Sequence, residues 1–481
     1  MTAAYHAACD RPCCGRQAAG VPHPNWTLAV SILASSLAFI DSSVTNVALP
    51  ALHSSLGGTS ADLQWTINGY LLPLSALLLV GGAAGDKFGR RRLLVSGIVI
   101  FALASIGCAL APSYAVLVPM RAVQGVGAAM LMPNSLALLS NAFPEPTRGR
   151  AIGTWAAVGV IASAAGPPLG GWLIGVAGWR AIFLINVPVA AAAVLLALTY
   201  VREWSERNEP IDVMGAGLAT LALGLFAWTL TLWSSRQAMP PGGYIQFVVA
   251  FSVLMAFFWL EHRRGEQAMM PLSMFASRAF LGLSAITFLI YGALGGLFLL
   301  LPYVLIEGGY SPLQAGLALL PFPAIVALAS RMMGRLSGRY GPRWPLTFGS
   351  LFSALGYMLM TRVDPAGSYI WTVVPGAAVL AIGMAGAVAP LTTAVLGAVD
   401  EHHTGTASGF NSAISRSGGL IAIALSGAVL AHKGAALLAS FHASCWVGVA
   451  MTLVSALIAA WTLKPASAAP HPRAAPAPRP T

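Results

Sequence analysis

Two side chains of opposite charge lie deep inside the long apolar runs of this sequence. Asp41 is the only one of the fifteen acidic residues that lies well inside such a run, and Arg121 lies inside another. A charge at the depth of a membrane costs at least about 2.5–3.5 kcal/mol, so its presence usually signals a function. Burial favours the protonated carboxyl, whereas a nearby guanidinium favours the carboxylate. An aspartate in this setting can therefore bind and release a proton.

The two runs place these charges at a similar depth. Asp41 lies nine residues before Pro50, and Arg121 lies nine residues after Pro112, on runs that cross in opposite directions. At 1.5 Å per residue, each charge lies roughly 13 Å from the same membrane boundary. We expect a buried ion pair that couples protons to transport. The alternative is a permanent ion pair with a structural role.

Further polar side chains lie inside the apolar runs and are candidates for lining a substrate cavity. These candidates are Asn46, Tyr70, Gln124, Asn134 and Arg416. Each of them could instead hydrogen-bond a neighbouring helix. For Arg416 the two interpretations, a cavity residue or a contact between helices, stay equally open.

The chain has no recognisable means of hydrolysing ATP. None of its three lysines stands in a G-x-x-x-x-G-K-[ST] phosphate-binding pattern. Any transport by this chain is then either driven by an ion gradient or is facilitated diffusion. We expect no enzymatic activity, no cofactor and no metal, although Cys9, Cys13 and Cys14 lie close together in the N-terminal tail.

Composition indicates the elements that must position these groups. Only 9% of the 481 residues are charged and 57% are hydrophobic, a balance typical of a chain surrounded by lipid. Apolar runs of about 20 residues span a membrane as helices, which satisfy their own backbone hydrogen bonds. The sequence predicts fourteen such spans. They cover residues 27–50, 65–85, 93–111, 113–140, 151–175, 181–201, 213–233, 244–260, 279–306, 313–334, 344–361, 369–398, 405–431 and 443–463.

The net charge of +11 is distributed unevenly across these spans. Nineteen of the 26 Lys and Arg residues fall in the tails and in the loops on the same side as both termini, and four fall on the other side. The positive-inside rule then places both termini in the cytoplasm of a multi-pass protein of the plasma (inner) membrane. The lipid bilayer explains the basic excess, so no nucleic-acid partner is expected.

A repeated sequence pattern divides the chain into two halves. Basic, glycine-containing hinges at 81–92 and 334–343 each follow the second span of a half, if two spans between the halves are an insertion. Parallel halves place a substrate site near the midplane between them. The predicted units are an N-terminal cytoplasmic tail (1–25), a six-helix bundle (26–204), two inserted helices (205–268), a second six-helix bundle (269–463) and a disordered cytoplasmic tail (464–481).

Residues 166–171 of the fifth predicted span have the sequence G-P-P-L-G-G. The two prolines remove backbone donors, and the glycines allow a neighbouring helix to approach closely. This pattern predicts a kink that serves as a pivot; packing without motion is the alternative. The candidate pivot residues are Gly166, Pro167, Pro168, Gly170 and Gly171.

Four motifs resemble those of the major facilitator superfamily, and specifically of its fourteen-helix drug:proton antiporter family. Residues 82–91, GAAGDKFGRR, resemble the signature loop between helices two and three, whose acid and base are thought to lock the cytoplasmic gate. Ala84 and Lys87 depart from the usual leucine and arginine. The gate residues implied by this resemblance are Gly85, Asp86, Gly89 and Arg90.

The other three motifs lie on three different spans. Residues 117–129 resemble the fourth-helix motif, whose arginine, here Arg121, is associated with proton transfer. Residues 166–171 resemble the fifth-helix antiporter motif, and residues 41–50, DSSVTNVALP, are similar to the first-helix motif of the fourteen-helix exporters. The resemblance covers roughly residues 26–463.

The resemblance implies an all-α polytopic membrane protein with the major-facilitator fold, in which two additional helices lie between two six-helix bundles. It implies a proton-coupled antiporter that exports small lipophilic molecules, drugs or secondary metabolites, by alternating access, and we expect the protein to act as a monomer. Such multidrug efflux confers antibiotic resistance. The alternatives are a uniporter or importer of a specific metabolite and a non-transporting membrane receptor or scaffold.

Overall fold

The computed structural model describes residues 23–203, 213–236, 243–265, 272–399 and 404–463. These ranges contain helices and turns and no strand. The C-terminal tail at 464–481 and the three N-terminal cysteines lie outside the described residues.

The first half of the chain forms seven helices. They are α1 (Pro24–Leu56), α2 (Ser60–Phe88), α3 (Arg90–Leu110), α4 (Tyr114–Ala142), α5 (Glu145–Ala177), α6 (Ala181–Leu184) and α7 (Asn186–Tyr200). Helices α6 and α7 together form one span, which breaks at Ile185. Two helices follow before the second half, α8 (Val213–Arg236) and α9 (Gly243–Arg264).

The second half begins with a short 3₁₀ helix at Leu272–Ala276 and continues with nine helices. They are α10 (Arg278–Glu307), α11 (Pro312–Leu317), α12 (Pro321–Tyr340), α13 (Arg343–Met360), α14 (Tyr369–Thr372), α15 (Val374–Leu396), α16 (Thr404–Leu425), α17 (Gly427–Leu430) and α18 (Gly434–Thr462). The pairs α11–α12, α14–α15 and α16–α17 each make one interrupted span.

Twelve helical segments of the described chain are long and apolar enough to cross a membrane, and each overlaps a predicted span. The remaining predicted spans, 65–85 and 344–361, form α2 and α13, which are not among these twelve. Helix α2 carries Asp62 and Asn68, and α13 begins at Arg343. Both pack inside the bundle, α2 against α4 and α13 against α15. Helices therefore occupy all fourteen predicted positions.

Successive spans run in opposite directions, so the bundle has two ends. We call the end that holds Pro24 the proximal end and the end that holds Leu56 the distal end. Trp26 stacks on Tyr200 with ring centroids 4.8 Å apart, which places the start of α1 beside the end of α7 at the proximal end. The last helix, α18, starts at the distal end with Gly434.

Glycines bring α4 unusually close to α2 and α3. A Cβ atom on Gly125 would collide with the backbone carbonyl of Tyr70 in α2. On the opposite side of α4, a Cβ on Gly127 would lie 2.8 Å from the Gly97 carbonyl oxygen in α3. Without a strong hydrophobic force between helices in lipid, close backbone packing of this kind holds the helices together. Helix α4 is thus the centre of the N-terminal half.

The inserted helices α8 and α9 pack against each other, and α8 also contacts α2, α16 and α17. The Ser234 hydroxyl at the end of α8 donates a 2.6 Å hydrogen bond to the Ala424 carbonyl in α16. Helix α8 therefore lies where α2 of the first half meets α16 of the second. Direct contacts between the halves are made by α1 with α10, by α2 with α16 and by α5 with α11.

The tight α2–α4 contact predicts that a larger residue at Gly125 lowers the stability of the protein. Gly125→Ala should destabilise the protein by about 1–3 kcal/mol, because an added methyl group forces the two backbones apart. Gly153→Ala is the matched control, since nothing lies within 4 Å of a Cβ there and alanine favours the helix. Thermal unfolding of the purified variants in detergent measures both. Equal melting temperatures for the two variants would show that the close approach contributes nothing.

Candidate proton-coupling site

Asp41 of α1 and Arg121 of α4 form an ion pair inside the N-terminal half. The Arg121 Nη1 atom donates to the Asp41 Oδ2 atom. Both residues are 0% exposed, and Arg121 is among the largest fully buried side chains of the described chain. The buried ion pair predicted from the sequence is confirmed as a contact, and its role in coupling stays a prediction.

The second oxygen of the Asp41 carboxyl is also occupied. Its Oδ1 atom accepts a hydrogen bond of 2.9 Å from the Gln124 amide and one of 3.2 Å from the Asn186 amide. Together with Arg121, three donors face the two carboxylate oxygens. An ionised carboxylate accepts hydrogen bonds only, so this arrangement suits the anion.

The Arg121 guanidinium has further partners that fix its position. Its Nε atom donates to the Thr66 backbone carbonyl of α2 at 2.9 Å, and its Nη1 atom also donates to the side-chain Oε1 atom of Gln124 at 2.7 Å. The guanidinium carbon lies 4.5 Å from the centre of the Tyr70 ring and 5.7 Å from that of Phe183. A buried cation between aromatic faces gains cation–π attraction.

Asn186 and Ser105 belong to the site and were not predicted from the sequence. The Ser105 hydroxyl of α3 accepts hydrogen bonds from Gln124 at 2.8 Å and from Asn186 at 3.3 Å. Asn186 opens α7 and is 2% exposed. A lone asparagine at the start of a strongly apolar run was the available signal. We define the coupling cluster as Asp41, Arg121, Gln124, Asn186 and Ser105.

Three of the predicted cavity residues are buried between helices. Tyr70 and Gln124 are 0% exposed and Asn134 is 1% exposed, so none of them faces an open cavity in this structure. Tyr70 and Gln124 surround Arg121. Asn134 donates to the Gly81 carbonyl at 2.9 Å and to the Met130 carbonyl at 2.7 Å, which ties α4 to α2. These side chains hydrogen-bond neighbouring helices, the alternative that the sequence left open.

The other two cavity candidates are less enclosed. Asn46 and Arg416 are both half-buried. Asn46 lies five residues after Asp41 on α1, and therefore on a different face of that helix. The Arg416 Nη2 atom lies 3.8 Å from the Met132 sulfur of α4, so this arginine of the second half reaches the first. These two remain the candidates for a cavity between the halves.

The predicted gate motif forms the sharp connection between α2 and α3. A Cβ on Gly85 would collide with the Asn134 side chain, and Gly89 has a φ of +106°, which L side chains rarely adopt. The side chain of Asp86 lies outside the described part of the structure, and Arg90 is half-buried at the first position of α3. Gly85 therefore allows α4 to approach α2 closely, and Gly89 is required by the backbone conformation of the turn.

Glu203 is an acidic partner of this turn that the sequence analysis did not identify. Its Oε1 atom accepts a 3.0 Å hydrogen bond from the Arg91 backbone N–H, and its Oε2 atom lies 3.8 Å from Arg91 Nε and 3.6 Å from Arg92 Nε. Glu203 follows α7, so it joins the sixth span to the turn. Its position just after an apolar run gave no indication of this contact.

The G-P-P-L-G-G segment lies in the continuous helix α5 and packs on both halves. Cβ atoms on Gly166 and Gly170 would collide with Ser43 and Val44 of α1, and a Cβ on Gly171 would lie 2.6 Å from the Leu313 Cα atom of α11. The close helix approach expected from this segment is present. Whether it serves as a pivot stays a prediction.

The sequence matches the Major Facilitator Superfamily model over residues 31–283 and 283–481. The chain belongs to the major facilitator superfamily. It is similar to the multidrug resistance protein Stp of Mycobacterium tuberculosis, with 35% identity over 85% of this chain and 76% of that protein. It is 30% identical to the methylenomycin A resistance protein of Bacillus subtilis, covering 90% of this chain and 93% of the relative.

A further relative of this superfamily is the tetracenomycin C resistance and export protein of Streptomyces glaucescens, 32% identical over 86% of this chain and 77% of the relative. The fold is similar to that of the xylose transporter XylE from E. coli in an inward-open conformation, with a TM-score of 0.62, 14% identity and coverage of 92% and 96% of the two chains. The protein is thus a multi-pass membrane transporter and not an enzyme.

The hydrogen-bonded ion pair of the coupling cluster predicts that loss of the Asp41 charge lowers the stability of the protein. Asp41→Asn leaves the Arg121 charge buried without its counterion, which should cost about 3–5 kcal/mol. Replacing both partners, Asp41→Asn with Arg121→Gln, should recover part of that loss because no charge is then left unpaired. Unfolding curves in detergent compare the variants. A double variant less stable than Asp41→Asn would contradict this account.

Proposed function

We propose that this protein is a proton-coupled antiporter that exports small lipophilic molecules, drugs or secondary metabolites, from the cytoplasm. The observation that carries the proposal is the buried Asp41 carboxylate, the one acid that lies well inside a predicted span, with three donors on its two oxygens. A group enclosed in this way exchanges protons only when the surrounding helices move. Proton binding is thereby tied to conformation.

The distribution of basic residues and the names of the relatives support the export direction. The basic loops support a cytoplasmic position for the proximal end. Relatives at 30–35% identity are named for multidrug resistance, antibiotic resistance and export. The proposed substrate is lipophilic because the spans offer apolar walls with few charges.

In the proposed cycle, a proton from outside neutralises Asp41 and weakens its contact with Arg121. Substrate from the cytoplasm binds between the halves and favours the ionised, paired state. The two ligands are therefore antagonistic, and the inward proton gradient drives export. Each charge that crosses 100 mV contributes about 2.3 kcal/mol, enough to sustain a useful concentration ratio. One chain suffices for this cycle.

The close contact between α5 and α11 supports a closed distal gate in this state. A Cβ on Gly316 of α11 would lie 2.6 Å from the Pro167 carbonyl carbon, and Gly171 meets Leu313. Alternating access requires such contacts to break when the protein opens outward. We propose that residues 166–171 form the surface on which this gate closes.

The coupling role of Asp41 makes a prediction for transport. In vesicles with an imposed pH gradient, Asp41→Asn should abolish uphill accumulation of a lipophilic substrate while substrate binding is retained, because the neutral amide carries no exchangeable charge. Glu307→Gln is the control, since Glu307 is exposed at the end of α10. A uniporter or importer would ignore the gradient or reverse the flux. A receptor or scaffold would show no flux at all.

The proposed gate makes a second transport prediction. Gly171→Val should hold α5 and α11 apart and slow export, whereas Gly175→Val, one turn further along, meets nothing within 4 Å and should leave export unchanged. Spin labels at Ser55→Cys and Arg362→Cys, near the distal ends of the two halves, report the separation. Only Gly171→Val should lengthen their distance distribution. Unchanged distances in a fully folded Gly171→Val protein would remove the gate from the proposal.

A further inference from the structure

Arg416 of α16 is a charged side chain in the middle of the bundle. It lies twelve residues after Thr404, where α16 begins at the proximal end, and fourteen residues before Leu430, where α17 completes this span. At 1.5 Å per residue, these separations are roughly 18 Å and 21 Å. In transporters built from two parallel halves, the substrate site lies near this midplane and between the halves.

Arg416 lies on the side of α16 that faces the first half. Gly418 marks the opposite side, because a Cβ atom there would collide with the Phe288 carbonyl of α10 in the second half. At 3.6 residues per turn, Arg416 lies about 160° around the helix from Gly418. Its Nη2 atom accordingly reaches α4 of the first half, where it lies 3.8 Å from the Met132 sulfur.

The interface between the halves is closed on the distal side of Arg416. Leu420 and Ile423 follow on the same face of α16, about one and two turns further along, and they are 0% and 5% exposed. Ile423 belongs to an apolar core that also contains Leu63 and Ile67 of α2. Arg416 itself is only half-buried, so the interface opens at its level.

The Arg416 guanidinium has no counterion among the described residues. No acidic side chain in this part of the chain lies within ion-pair distance of it, and its one polar contact is the uncharged Met132 sulfur. Its Nε and Nη1 atoms have no partner there and keep accessible surface. Asp41 is not available to Arg416, because three donors of the coupling cluster already occupy both of its oxygens.

The chemistry of an unpaired guanidinium indicates what completes this site. A charge at membrane depth normally pairs with an opposite charge or faces a substrate or ion pathway. The planar guanidinium matches a carboxylate, which it binds through two parallel hydrogen bonds. Arg416 offers free donors toward the space between the halves, and no carboxylate of the described chain meets them. An anionic group on a ligand would do so.

We propose that Arg416 binds an anionic group of the exported molecule, so that the substrates of this protein are lipophilic acids, with a carboxylate as the simplest such group. This assignment rests on the proposed export function and names the chemical class of its substrate. A lipophilic cation would bring a second positive charge beside Arg416, and the site disfavours it for that reason.

Three probes that share one aromatic ring system test the charge preference. The probes 9-anthracenecarboxylate, 9-anthracenecarboxamide and 9-(aminomethyl)anthracene are titrated without a gradient against the full-length protein in phosphatidylcholine nanodiscs, with empty nanodiscs as background. Their fluorescence reports binding. The carboxylate should bind about 10- to 100-fold more tightly than the carboxamide, as expected for hydrogen bonds between charged groups, and the ammonium probe should bind most weakly. Equal affinities, tighter binding of the cation or no binding of the carboxylate would overturn the proposal.

Variants at position 416 test whether this guanidinium causes the preference. Arg416→Gln should remove the difference between the carboxylate and the carboxamide, whereas Arg416→Lys keeps a positive charge and should retain part of it. Arg362→Gln is the matched control, since Arg362 is exposed beyond the end of α13, and it should change nothing. A carboxylate preference that survives in folded Arg416→Gln protein would contradict the proposal.

Thermal unfolding separates ligand binding from a structural role of Arg416. Because the guanidinium has no counterion to lose, Arg416→Gln should unfold at the same temperature as the unmodified protein or at a higher one. The carboxylate probe stabilises the state that binds it, so it should raise the melting temperature of the unmodified protein and not that of Arg416→Gln. A lower melting temperature in Arg416→Gln, with the stabilisation by the probe unchanged, would show a structural role and overturn the proposal.

Transport measurements distinguish failure of this proposal from failure of the proposed function. Export of the carboxylate probe that follows an imposed pH gradient and is lost in Arg416→Gln supports both. If the probe binds through Arg416 but shows no gradient-driven flux, the antiport is wrong and the anion site remains. If the gradient drives the carboxamide or the ammonium probe in preference to the carboxylate, the antiport remains and the anion site is wrong.

Discussion

The cost of burying one carboxylate and one guanidinium dominates the architecture of the N-terminal half. Each ion loses several kcal/mol of hydration when it is buried, and the mutual attraction compensates only if hydrogen bonds satisfy the remaining atoms. Gln124, Asn186 and Ser105 meet this requirement from three different helices. The cluster therefore joins α1, α3, α4 and α7 around a single charge pair.

This polar centre requires close helix packing, and glycines allow it. The Arg121 Nε atom reaches the Thr66 carbonyl only because α4 lies almost against the backbone of α2. Gly125, one turn after Arg121, touches the Tyr70 carbonyl and sets that distance. The glycines of α4 and the charges of the cluster thus depend on each other, although the sequence pattern shows them only as separate features.

The sequence predicted the charge pair and the helices well, and the surroundings of the pair poorly. A charge inside a long apolar run stands out, and counting residues from the flanking prolines gave Asp41 and Arg121 a common depth. The side of a helix that a residue occupies is harder to predict, because spanning helices are apolar on every face and show no hydrophobic stripe. For this reason Gln124 and Asn134 were expected in a cavity, and Asn186 was missed.

The contacts of α1 offer a physical route between the coupling cluster and the closed distal contact. Ser43 and Val44 follow Asp41 within one turn of α1, and they meet the glycines of α5 at positions 166 and 170. The next residue of that segment, Gly171, meets Leu313 of the second half. Glycine contacts have no side chain to absorb a displacement, so in the proposed cycle a shift of α1 on protonation of Asp41 would be passed to α5. A displacement at Asp41 would thereby reach the α5–α11 contact, the proposed distal gate, since close-packed interiors transmit strain.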